Sequence, residues 1–222
     1  MRRVHRRGVG HARLQPVGGS TRGVSRGGLR RLPRRLHRRP GPRAPHLLGL
    51  SFGGALALEL HRWYPAIPRS LILAGSYAGW AGSLPAEVVE QRTQHVLQAL
   101  ELPPEQWARE WSPSMLSPSA PAELVIEVEA SLSAFHQAGQ RVFIRAFGDQ
   151  DLRDVLSHVA VPTLLLYGDR DMRSSISVGE ALHARIPGSQ FVLLPGVGHV
   201  SNMEAPVRFN AEVQRFLRSL NP

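Results

Sequence analysis

The chain changes its pattern of apolar and polar positions near residue 45. Before that point the apolar residues (Val4, Val9, Leu14, Val17, Val24, Leu29, Leu32, Leu36) keep neither the two-residue period of a strand nor the 3.6-residue period of a helix. After it, short apolar runs alternate with longer stretches whose apolar residues fall three and four apart. The runs His46–Leu50, Arg69–Ala74, Val161–Tyr167 and Gln190–Leu194 predict buried strands. The spacing predicts helices over Ala55–Tyr64, Ala86–Leu100, Pro104–Trp111, Ala122–Gln137, Gln140–Phe147, Asp151–Val159, Ser177–Ile186 and Pro206–Leu220. Strands that alternate with helices imply an α/β fold, a parallel sheet with helices on both faces. The mainly helical stretch 76–157 forms an insertion between the second and third strands.

Charge sharpens the break. The net charge of +10 is the sum of +14 over residues 1–45 and −4 over residues 46–222, and every one of the 27 basic residues is Arg. Arg, Gly and Pro fill 27 of the first 45 positions. Such a stretch buries too little apolar area to offset its ordering entropy, so residues 1–45 are expected to be disordered. Arg, Gly, Pro and Ala share GC-rich codons, so a shifted frame or wrong start would produce this mixture; a linker and a nucleic-acid arm are the other readings. With no aromatic residue before Phe52, an arm could offer only salt-sensitive, non-specific phosphate contacts and no base stacking. The absence of cysteine excludes disulfides, thiolate metal sites and a cysteine nucleophile. No apolar run has transmembrane length and no secretory signal is present, so no membrane association is expected and the cytoplasm is the default location.

Candidate chemistry lies at the ends of three predicted strands. Gly49-Leu50-Ser51-Phe52-Gly53 joins the first strand to the first helix. A serine nucleophile needs a sharp turn that lifts its hydroxyl above the sheet, and glycines at 49 and 53 are expected to relieve crowding there. The helix N-terminus behind it aims free N–H groups at the site, and the Phe52 N–H is the candidate oxyanion donor. A serine hydroxyl needs a base, and the base needs an orienting acid. Asp171, with Asp169 as the alternative, follows the third strand, and His199 follows the fourth, in the order Ser, Asp, His. Catalytic groups in open parallel sheets gather at the carboxyl ends of strands.

The segments LLGLSFGGALALEL, VPTLLLYGDRD, IPGSQFVLLPGVGHVSNMEAP and RFNAEVQRFLRSL resemble the α/β-hydrolase superfamily over residues 46–222, the last of them closest to small esterase- and lactonase-like members. The resemblance implies a serine nucleophile at Ser51, an acid at Asp171, a base at His199 and a helical cap at about 76–157. It implies hydrolysis of a small carboxylic ester or lactone through an acyl-enzyme, with no cofactor; carbon–carbon bond hydrolysis is the nearest alternative. The family pattern also carries about four further strands before the nucleophile strand, and a His-Gly loop that gives the first oxyanion N–H. Residues 1–45 stand in their place, and losing one such donor typically costs about 2.7–4 kcal/mol of transition-state stabilisation. The strand 46–50 would then present an unpaired apolar edge.

Three functional readings therefore stand at this point: a serine hydrolase of small esters or lactones, a truncated and inactive α/β-hydrolase, and an Arg-rich, non-specific nucleic-acid binder. Trp80, Trp107, Trp111, Met115, Phe135, Phe143 and Phe147 are candidates either for an acyl pocket or for the core of the helical insertion. His46, His61, His95, His136, His158 and His183 lack metal-ligand spacing, so no metal site is expected. Glu204 is read as a structural charge near the start of the last helix. The substrate's identity and the oligomeric state are not encoded in motifs.

Overall fold

The computed structural model describes residues 44–220. The reading of residues 1–45 as a disordered segment, a shifted frame or a nucleic-acid arm therefore lies, but for its last two positions, outside the described residues.

Four strands, β1 (His46–Leu50), β2 (Ser70–Ala74), β3 (Thr163–Gly168) and β4 (Gln190–Leu194), form one parallel sheet in the order β1-β2-β3-β4. The register pairs Gly49 with Leu73, Leu73 with Leu165 and Leu165 with Phe191. Every residue of β2 and β3 is buried, as continuous apolar runs in the middle of a parallel sheet require. β1 is an edge among the described residues, and its Leu48 is 49% exposed.

The helices α1 (Phe52–Trp63) and α7 (Ile176–His183) cover one face of the sheet, placing Ala55, Leu58, Val178 and Leu182 against Leu71, Leu73, Leu165 and Tyr167. The closing helix α9 (Pro206–Ser219) covers the other, where Phe209 and Phe216 meet Ile72, Leu164 and Leu166. Full burial of a side chain such as Leu73 or Leu165 contributes about 1.5–3 kcal/mol. Between β2 and β3 run α2 (Ala86–Ala99), α3 (Pro104–Met115), α4 (Ala122–Ser133), α5 (Gln137–Gly148) and the single turn α6 (Arg153–Leu156). Another single turn, α8 (Ser201–Glu204), follows β4. Among the described residues no helix is long and apolar enough to cross a membrane.

Local chemistry explains where the helices depart from expectation. α1 starts at Phe52, three residues before the first strongly periodic position, because the turn at Ser51 feeds straight into it. α3 continues past Trp111 despite Pro113. Proline removes the N–H that would reach the Arg109 carbonyl, and the Ser112 hydroxyl donates to that carbonyl instead (3.5 Å) while lying 2.9 Å from Glu129 of α4.

Candidate active site

Ser51 is the only non-glycine among the described residues with a left-handed backbone (φ 54°, ψ −118°). Such a conformation costs about 1–3 kcal/mol and persists only where its surroundings hold it. Here the Ser51 N–H donates to the Ala74 carbonyl at 2.8 Å, and its carbonyl accepts from Gly54 N at 3.0 Å. The turn folds β1 tightly back on α1. A Cβ at Gly49 would sit 2.2 Å from the Gly53 carbonyl carbon, so position 49 admits no side chain. The expectation for Gly53 is overturned, since a Cβ there meets nothing within 4 Å. The crowded partner is Gly54, whose Cβ would fall 1.9 Å from Ser76 Oγ. That hydroxyl donates to the Gly49 and Ala74 carbonyls (3.2 and 3.1 Å) and clamps the ends of β1 and β2 together.

Asp171 and His199 are brought into direct contact. His199 Nδ1 lies 2.8 Å from Asp171 Oδ2, and both side chains are buried. A carboxylate only accepts, so the proton of this bond sits on Nδ1 and a neutral imidazole keeps its lone pair on Nε2. Asp171 Oδ1 accepts from the Arg173 and Ser174 N–H groups, each at 2.8 Å, which fixes the carboxylate's orientation. Asp169 does not compete for the histidine; its Oδ1 accepts from Gly196 N at 2.6 Å. Gly75 (φ +49°) lets the chain leave β2 beside this pair, because a Cβ there would lie 3.1 Å from Asp171 Oδ2 and 3.2 Å from His199 Nδ1.

Ser51, Phe52 and His199 line one cavity of about 510 Å³. Its walls are largely aromatic. Trp80, Trp111, Met115, Phe135, Phe143 and Phe147 all line it, whereas Trp107, 1% exposed, is core and does not. The Phe52 ring meets Phe143 and Phe147 edge-on at 4.2 and 5.0 Å, anchoring the start of α1 beneath α5. The Phe52 N–H belongs to the first turn of α1, where N–H groups have no intrahelical acceptor.

Sequence reasoning missed three side chains around this cavity. Arg173, two residues beyond Asp171, lines it, with its guanidinium over the Trp111 ring. Ser76 carries no motif signal. Glu204 does not act through the dipole of α9 as expected; its Oε2 accepts from Gly198 N (2.9 Å) and Ser117 N (3.1 Å) and ties the His199 loop to the segment after α3. Its spacing of five residues from His199 was the one available cue.

The pattern that describes the α/β-hydrolase family matches residues 3–212. The chain belongs to the α/β-hydrolase family. RutD of Cronobacter turicensis is 28% identical over 191 residues, covering 79% of this hydrolase-family chain and 66% of that protein. The 3-oxoadipate enol-lactonase 1 of Acinetobacter baylyi is 28% identical over 181 residues, covering 79% of this chain and 64% of that one. Among solved structures, a thermophilic esterase from Thermogutta terrifontis superposes with a TM-score of 0.70 at 27% identity, over 79% of this chain and 65% of that one. A hydrolase from Pseudomonas aeruginosa gives 0.68 at 32% identity, over 79% and 65%. This α/β-hydrolase thus spans about two thirds or less of the length of these relatives. The family match begins inside the Arg-rich segment that composition alone set apart.

Proposed function

We propose that this α/β-hydrolase is a serine hydrolase that cleaves a small carboxylic ester or lactone through an acyl-enzyme. One observation carries the reading: a serine held at positive φ shares a cavity with a histidine whose far nitrogen is bonded to a buried aspartate. In this reading the Ser51 hydroxyl attacks the substrate carbonyl while His199 Nε2 takes its proton. The imidazolium so formed is stabilised by Asp171, which holds the ring in one tautomer throughout. The Phe52 N–H donates to the developing oxyanion. His199 then returns the proton to the leaving alkoxide, and water, activated by the same nitrogen, releases the acid and restores Ser51. The helices α2–α5 serve as the cap, excluding water and supplying an apolar wall for the acyl chain. No step calls for a cofactor.

A fluorophosphonate probe tests the assignment directly. The full chain, shown to be folded by circular dichroism, is expected to label at Ser51, with labelling abolished in Ser51→Ala and p-nitrophenyl acetate hydrolysis lost in parallel. A folded protein that takes no label, or takes it at another serine, would overturn the proposal.

A further inference from the structure

The aromatic cavity contains a feature that hydrolysis of a neutral ester does not use. Of the residues that line it, none is acidic, and Arg173 alone carries a permanent charge. Its guanidinium has few partners. Nη1 donates to Ser114 Oγ at 2.9 Å, and the group lies 4.4 Å from the centroid of Trp111. Among the described residues no carboxylate lies within ion-pairing distance of it. Five N–H donors therefore have one hydroxyl acceptor between them. Asp171, close in sequence, cannot serve as the counter-ion, because Oδ1 is occupied by two backbone amides and Oδ2 by His199.

The chain builds this arrangement firmly. The Arg173 amide is bonded to Asp171, and its carbonyl accepts from the Tyr77 hydroxyl and from Arg92 Nη1 (2.9 Å). The backbone is fixed from both sides, and the Trp111 face sets the plane of the guanidinium. Desolvation by burial opposes its charge, so the free protein carries an electrostatic cost that an anion in the cavity would relieve.

We infer that the substrate carries a second, ionised carboxylate, bound by the Arg173 guanidinium while Ser51 attacks its ester or lactone carbonyl. This inference rests on the serine-hydrolase reading of the same cavity. A carboxylate fits better than a phosphate. Its single charge matches the single free cation, its planar oxygens match the guanidinium fork, and a dianion would require a second cation among otherwise apolar walls.

The test compares monomethyl with dimethyl esters of glutaric, adipic and pimelic acid, pairs that differ little in size and by one negative charge. The full chain is expected to prefer the monoester of the best-fitting acid by about tenfold or more in kcat/KM, chiefly through KM. Arg173→Gln is expected to erase that preference, and Arg173→Lys, which keeps the charge without the fork, to retain part of it. A merely structural role for Arg173 would lower both rates together and leave their ratio intact. A wild-type protein that hydrolyses the diesters as well as the monoesters, or an unchanged ratio in Arg173→Gln, overturns the inference. If no ester turns over and Ser51 takes no label, it is the hydrolase reading that has failed. Titration with monomethyl adipate then decides Arg173 separately: a Trp111 fluorescence change that is lost in Arg173→Gln and not produced by dimethyl adipate supports the anion site, and its absence refutes it.

Discussion

At the scale of the residue, the site depends on how closely β1 and α1 approach around Ser51. The G-x-S-x-G pattern pointed to the right turn but not to the glycine that matters behind it. A repeating motif gives equal standing to Gly49 and Gly53, while the structure gives the crowded positions to Gly49 and Gly54, since only those face backbone or the Ser76 clamp. That distinction comes from the loop after β2, about two dozen residues away, and no local pattern contains it. The two neighbouring glycines should therefore respond oppositely to alanine. Gly53→Ala adds a methyl to open space in a helix and is expected to raise stability by up to about 1 kcal/mol. Gly54→Ala drives a Cβ into Ser76, whose hydroxyl is engaged with two carbonyls, and is expected to cost about 1–3 kcal/mol. Urea unfolding of both variants checks this, and equal effects in the same direction would show that the packing behind Ser51 is not as described.

Elements were easier to read than the joints between them. The strands β1 and β4 carry the expected bounds because an apolar run stops where the chain turns polar, and β2 and β3 differ from expectation only at their ends. The helix α8 gave no periodic signal, since a single turn is too short to show one. Yet α8 delivers Glu204, and Glu204 joins two elements that the sequence never suggested were neighbours: the His199 loop and the segment that follows α3. A third bond, from Val200 N to the Met115 carbonyl at 3.0 Å, lies beside it. Glu204→Ala would leave the Gly198 and Ser117 amides without their acceptor, at about 1–3 kcal/mol, or several degrees in Tm for a domain of this size. It is also expected to slow fluorophosphonate labelling of Ser51, because His199 sits in the loosened loop. Glu204→Gln, which retains one acceptor oxygen, should lie nearer the wild type in both measurements. A variant that melts later but labels at the wild-type rate, or one unchanged in both, would show that the loop is held by other contacts.

For the molecule as a whole, the rim of the sheet was legible and the cavity above it was not. Parallel strands place their carboxyl ends on one side, so Ser51, Asp171 and His199 could be assigned to a common edge from chain order alone. The cavity requires knowing which face of each helix from 104 to 148 turns inward. Trp107 and Trp111 are one turn apart on α3, yet the first is core and the second lines the cavity. The same dense packing has a consequence for the whole protein's response to alkali. Tyr77 and Tyr167 are buried beneath the site, donating to the Arg173 and Ser76 carbonyls. Burial raises the pKa of both phenols above the ordinary value near 10, for Tyr77 against the opposing pull of Arg92 and Arg173. The folded state therefore keeps these protons where the unfolded chain has released them. Stability from this source is complete below about pH 10 and falls as pH rises through the folded-state values, by about 1.4 kcal/mol per pH unit for each phenol. Urea midpoints measured from pH 9 to 11.5 should decline along this limb. Tyr77→Phe and Tyr167→Phe should each flatten the slope while costing stability at neutral pH through the lost hydrogen bond. Phenolate absorbance should accordingly rise for these two residues only as the protein unfolds; their ionisation near pH 10 in a chain still folded by circular dichroism would show that the packing beneath the site admits water.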